Sequence, residues 1–127
     1  MLWTETDAVA LAKTMYRESN GSPTMESAAV AWCVLNRVDN WGGTIIGVLS
    51  APNQFAYSSS APVTDYFYNL AVDVLTRWSY EHNGQADVSR VLPSTYMWFS
   101  GDGSHNHFRN AYAGGSYWDW SLPNPYN

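Results

Sequence analysis

Basic residues are scarce in this chain. Six Lys and Arg stand against eleven Asp and Glu, for a formal net charge of −5. Phosphate recognition needs clustered Lys and Arg, so these few scattered cations argue against a nucleic-acid partner. Cysteine is almost missing: Cys33 alone excludes an internal disulfide and a four-cysteine zinc site. In the middle of an expected helix, it reads as a buried structural thiol. No apolar run approaches the roughly 18 residues of a membrane span. The opening "MLWTETDAVA" has neither the basic nor the apolar region of a signal peptide. The expectation is either a domain cut from a longer secreted protein or a protein delivered by other means. Repeats, charge blocks and low-complexity tracts are also lacking.

What is present points to an ordered globular chain. Charged residues make up only 13% of the 127, and 46% are apolar, which excludes a disordered composition. That length makes one domain, residues 1–127, with a sizeable core but no room for two. The excess is aromatic, with seven Trp and nine Tyr. Large aromatics fill the core of a small domain, and their flat amphipathic faces also suit sugar rings. Both uses are expected, on different residues.

Helical spacing of Ala8, Leu11, Ala12 and Met15 predicts a helix over 5–19, capped by Thr4 with Asp7 in its first turn. Ser22 and Pro23 then suit the cap and first position of a second helix reaching Val38, with Met25, Ala28, Ala29, Trp32 and Leu35 as its apolar stripe. A short third helix is expected over 44–49, after Gly42 and Gly43, and an amphipathic fourth over 64–81, ended by Gly84. Between them, "SAPNQFAYSSSAP" reads as a loop crossing one face. "STYMWFS" suits a strand with Tyr96 and Trp98 on one face and Met97 and Phe99 on the other. The tail reads as ordered loops with one short strand. The fold class is a mainly helical α+β domain with a non-helical C-terminal third.

One residue sits oddly in this plan. Glu18 follows Leu11 by seven residues and Met15 by three, so it points along the apolar face at the helix end. The helix dipole, desolvation by the core and a shortage of nearby cations all raise the pKa of such a carboxyl. A carboxyl kept protonated near neutral pH is what glycosidic cleavage needs, because the leaving oxygen must receive a proton. The plainer alternative is an exposed Glu at a fraying helix end, and periodicity alone does not decide between them.

The surrounding segment "YRESNGSPTMESAAVAWCVLNRV", residues 16–38, resembles the SleB-type spore-cortex-lytic and cell wall hydrolase family. Glu18, Gly21 and Pro23 match its first block without gaps, as do Leu35, Asn36, Arg37 and Val38. "APNQF" resembles its Pro…Phe loop, and "YMWFS" its aromatic strand. The likeness covers about the first 100 residues. Arg17, Ser19 and Ser22 depart from the family's usual Gly, Ala and Glu, and the region of "HNHF" and "SYWDW" aligns poorly. The resemblance implies a lysozyme-like fold and peptidoglycan, of spore cortex or cell wall, as substrate. It also implies Glu18 as catalytic acid in a lytic transglycosylation that leaves a 1,6-anhydro end. One carboxyl suffices for that reaction, since the sugar's own 6-hydroxyl attacks and the same Glu takes up its proton. No second acid has as telling a setting. Glu26 lies across its helix from Trp32, and Asp102 and Asp119 lie in loops. A hydrolytic muramidase and a non-catalytic glycan-binding module are the alternatives. The expected setting is extracytoplasmic or phage-delivered, as a monomer and without a cofactor.

Several residues are candidates to hold the glycan. Gln54 suits an acetamido group or the 6-hydroxyl, or else satisfies loop backbone. Phe55 and Tyr57 wall a sugar subsite or anchor their loop. Tyr96 and Trp98 share a face that stacks on the glycan or packs in the core. Asn36, on an apolar stripe, is expected to bond loop backbone, and Arg37 to pair with a carboxylate. His105 and His107 form an H-x-H pair, but a catalytic zinc needs a third ligand, with only His82 and Asp102 nearby. No metal is expected. Substrate contact by His107, or structural hydrogen bonding, is the expectation instead.

Overall fold

The computed structural model describes residues 2–52 and 54–126. Four helices precede one antiparallel hairpin: α1 (Glu5–Ser19), α2 (Thr24–Trp41), α3 (Ile45–Ser50), α4 (Asp65–His82), β1 (Trp98–Gly101) and β2 (Asn106–Arg109). The class is α+β and mainly helical, as the patterning predicts. No helix among the described residues is long and apolar enough to cross a membrane.

Threonines start three of the helices, each hydroxyl accepting a backbone N–H that the helix leaves unpaired. Thr4 accepts from Asp7, Thr44 from Gly47 and Thr64 from Phe67. At α1 the cap is reciprocal, because the Thr4 N–H donates to Asp7 Oδ2 at 2.9 Å. The helix α2 departs from expectation at both ends. Pro23 itself occupies the cap position, without a side-chain cap bond, and the helix runs past Val38 to Trp41. Tertiary bonds hold that extra turn: Asn40 Nδ2 donates to Ser94 O, and Asp39 accepts from Trp78 Nε1. Gly42 then stops the helix at a φ of 82°, a left-handed conformation that costs glycine little.

The core forms around α2. Every residue from Ser27 to Asn36 is fully buried. Against it α1 packs Leu11 and Met15, and α4 packs Phe67, Leu70, Val74 and Leu75. Burying each such side chain contributes about 1.5–3 kcal/mol. Cys33 lies in this core as a free thiol, and burial pushes its pKa up to about 12.

The hairpin pairs Trp98 with Arg109 and Phe99 with Phe108. Phe99 and Phe108 stack across it, centroids 5.2 Å apart, and the fully buried Phe108 anchors the sheet to the helices. The strand is shorter than the sequence predicts. Buried Asn36 donates Nδ2 to Pro93 O at 2.9 Å and to Tyr96 O at 3.0 Å, and the Tyr96 N–H turns back to Pro93 O. Those bonds draw residues 93–96 into a turn, so Tyr96 and Trp98 do not share a strand face. Tyr96 packs on Trp118 and Trp98 on Trp41. Asn36 thus bonds loop backbone as expected. Arg37 does not take a carboxylate among the described residues: Nε donates to Met97 O and Nη1 to Gln54 Oε1, both at 2.7 Å.

Candidate active site

Two local features bring Glu18 into a groove. Ser19 ends α1, and its hydroxyl lies 2.7 Å from that of Ser27, which fixes the end of α1 to the start of α2. The loop after α3 then crosses the end of α1, and the Ala56 N–H donates to Glu18 Oε2 at 3.3 Å. The carboxyl is half-buried. Burial raises its pKa, and the Ala56 bond opposes that only in part. The direction is the one its position in the sequence predicts, with desolvation as the largest cause.

On one side of Glu18 lies an open cleft of about 530 Å³, walled by Gln54, Phe55, Ala56, Phe99 and Gly101. On the other lies a polar pocket of about 210 Å³ that includes Arg17, Asn20, Ser22, Glu26 and His105. Glu18, Gly101, Gly103 and Asn106 line both, so the two meet at Glu18 as one groove with an aromatic part and a polar part.

Of the residues proposed from sequence, the structure brings together Glu18, Gln54 and Phe55. Gln54 is held by Arg37, whose guanidinium also lies 4.7 Å from the centre of the Phe55 ring. Phe55 leans on Phe99 at 5.7 Å. The other four stand apart, none of them lining either side of the groove. Tyr57 packs partly buried against the core. Tyr96 and Trp98 meet Trp118 and Trp41, and the aromatic wall that their strand offers is Phe99 instead. His107 lies 2.8 Å from Asp102 Oδ2 through Nε2, on the exposed face of β2. With two backbone N–H groups from the turn, that imidazole holds the Asp102 carboxyl well below the usual carboxylate range.

Asn106, which the sequence does not single out, joins Glu26 and His105 beside Glu18. Asn106 is buried and donates Nδ2 to Glu18 O at 2.9 Å, satisfying a carbonyl that the helix end leaves open. It also donates its backbone N–H and Nδ2 to Glu26 Oε2, at 3.1 and 3.3 Å. Glu26 lies in the first turn of α2, where free N–H groups favour a negative charge, and it is 6% exposed. Its Oε1 lies 3.0 Å from His105 Nδ1. Glu26, across its helix from Trp32, is thus roofed by the hairpin, a setting that helix phase alone does not show. The signal available was the alternation in "HNHF", which turns Asn106 and Phe108 inward together. The two histidines face different carboxylates, and among the described residues no three His, Cys, Asp or Glu side chains converge on a metal position.

No protein-family model, curated protein or solved structure matches this chain.

Proposed function

We propose that the protein is a lytic transglycosylase of bacterial peptidoglycan, with a lysozyme-like fold and kinship to the SleB-type cell wall hydrolases. The observation that carries this reading is Glu18: a half-buried carboxyl of raised pKa between a sugar-sized aromatic wall and a polar one. Such a group supplies a proton where a glycosidic oxygen must leave.

In the reaction, Glu18 gives its proton to the oxygen joining N-acetylmuramic acid to N-acetylglucosamine, and the bond to the anomeric carbon breaks. The muramoyl 6-hydroxyl closes on that carbon, and its proton passes to the Glu18 carboxylate, which restores the acid. The attacking hydroxyl belongs to the substrate, so no external molecule has to be ordered. Phe55 and Phe99 give the sugar flat apolar contact, and Gln54 offers an amide to an acetamido group or to the 6-hydroxyl.

The surroundings of the other acids favour one carboxyl over two. Both oxygens of Glu26 accept protein hydrogen bonds and the group is buried, which suits neither a nucleophile nor a leaving-group acid. Asp102 is held by His107 and by the turn's own backbone. The protein is proposed to act as a monomer, without a cofactor, outside the cytoplasm or after delivery by a phage. Digesting purified peptidoglycan and weighing the soluble fragments tests the chemistry. Muramoyl ends lighter by one water than reducing ends are expected, and fragments with reducing ends alone speak for a muramidase.

A further inference from the structure

The single-acid reaction leaves the best-built hydrogen-bond network of the groove without a task. Glu26 is buried, and its Oε2 is taken by the backbone and side chain of Asn106. Its Oε1 faces His105 Nδ1 at 3.0 Å. A carboxylate offers only acceptors, so the imidazole proton on that side is on Nδ1, and Nε2 of the neutral ring carries a lone pair. The main chain of His105 is fixed as well, its N–H donating to Asp102 Oδ1 at 2.8 Å. The side chain remains 58% exposed and lines the same pocket as Glu18, and Nε2 has no partner among the described residues. A buried carboxylate behind Nδ1 and an open Nε2 is the arrangement that orients an imidazole as a base. His107 is arranged oppositely, with its Nε2 taken by Asp102.

We propose that His105 is a second catalytic base of this groove, serving water in place of the sugar hydroxyl, so that the protein releases reducing ends beside anhydro ends. The inference rests on Glu18 being the acid that opens the glycosidic bond. The pocket of about 210 Å³ has room for several waters, at about 30 Å³ each. In this branch Glu18 protonates the leaving oxygen and the bond to the anomeric carbon breaks. A water oxygen bonds to that carbon while its proton passes to His105 Nε2. The cycle ends with Glu18 ionised and His105 as imidazolium, and transfer of one proton through solvent from the second to the first restores both. Glu26 is a positioning residue here: it touches neither sugar nor water but sets the tautomer.

Two measurements test the proposal, one of them independent of turnover. Nitrogen NMR of the neutral His105 ring in the intact protein is expected to show Nδ1 protonated and Nε2 bare, and Glu26→Gln to weaken that preference. The second is the ratio of reducing to anhydro muramoyl ends from purified peptidoglycan. His105→Gln, at an exposed side chain, is expected to lower that ratio about 10²-fold, the usual worth of a positioned base. Glu26→Gln should lower it in the same direction by less. An Nε2-protonated ring, a wild-type digest with anhydro ends only, or an unchanged ratio in His105→Gln overturns the proposal while leaving the acid role of Glu18 intact. No cleavage of either kind by the wild type removes both readings at once.

Discussion

Asn106 donates its side-chain amide to the backbone carbonyl of Glu18 at 2.9 Å, joining the hairpin to the last turn of α1 across 88 residues of sequence. The same amide, with the Asn106 backbone N–H, satisfies the buried Glu26. Asn106→Leu leaves a helix-end carbonyl without its donor and removes one of the two donors on Oε2 of the buried Glu26 carboxyl. A loss of about 1–3 kcal/mol in urea unfolding is expected. Unchanged stability would show that water serves these groups equally well.

Glu18 makes stability depend on pH in a particular sense. Its native pKa lies above the ordinary value of 4.5, so ionisation costs the folded state more than the unfolded one. The relative advantage of the native state is complete below about pH 4.5 and is lost as the pH rises through the raised native value. Glu18→Gln should therefore raise the Tm near pH 7, and the gain should vanish below pH 4. A Tm difference that is constant across this range contradicts the burial assigned to the carboxyl.

The opposite sign is expected at the far side of the core. Arg90 donates Nε and Nη2 to the two oxygens of Glu81, and its hydrogen bonds lower the pKa of that carboxyl. Arg90 also donates to Asn36 Oδ1 and Leu92 O, and its guanidinium lies 4.1 Å from the centre of a Trp32 ring. Here stability is present above the ordinary value of 4.5 and is lost as pH falls through the lowered native value. Arg90→Met should cost about 1–3 kcal/mol at pH 7. Part of that cost should disappear by pH 3, where wild type and variant unfold at closer denaturant midpoints.

The aromatic wall gives a kinetic prediction. Phe55 faces the cleft beside Glu18, whereas Trp98 packs on Trp41 outside it. Phe55→Ala is expected to raise KM for soluble glycan strands about 10-fold, equivalent to one aromatic contact of about 1.4 kcal/mol. Trp98→Ala should act chiefly on Tm. The reverse pattern would place the glycan on the face that the strand pattern in the sequence suggests.

Local signals made much of the fold legible in advance. The Thr4 cap and the helical spacing of apolar residues reproduce α1, α3 and α4 within a residue of their bounds, because each depends on neighbours in sequence, while Thr44 and Thr64, expected as first helical residues, serve as caps. The errors lie where distant residues decide. Asn36 bends a segment 57 to 60 residues away and so shortens the strand and separates Tyr96 from Trp98. Glu26 meets His105 from 79 residues away, a distance that no helical or strand period reaches. For the same reason the position of Glu18 was readable, while the wall opposite it was not: the first is a matter of helix phase, the second of which loop arrives.

The whole account turns on proton delivery by residue 18. Release of soluble anhydro-muramoyl fragments from peptidoglycan, measured for the wild type and for Glu18→Gln with binding to the insoluble polymer followed in parallel, tests it most directly. The account predicts that the variant still sediments with the polymer while its turnover falls about 10²–10⁴-fold, the range for loss of a positioned acid. Turnover equal to the wild type would contradict it.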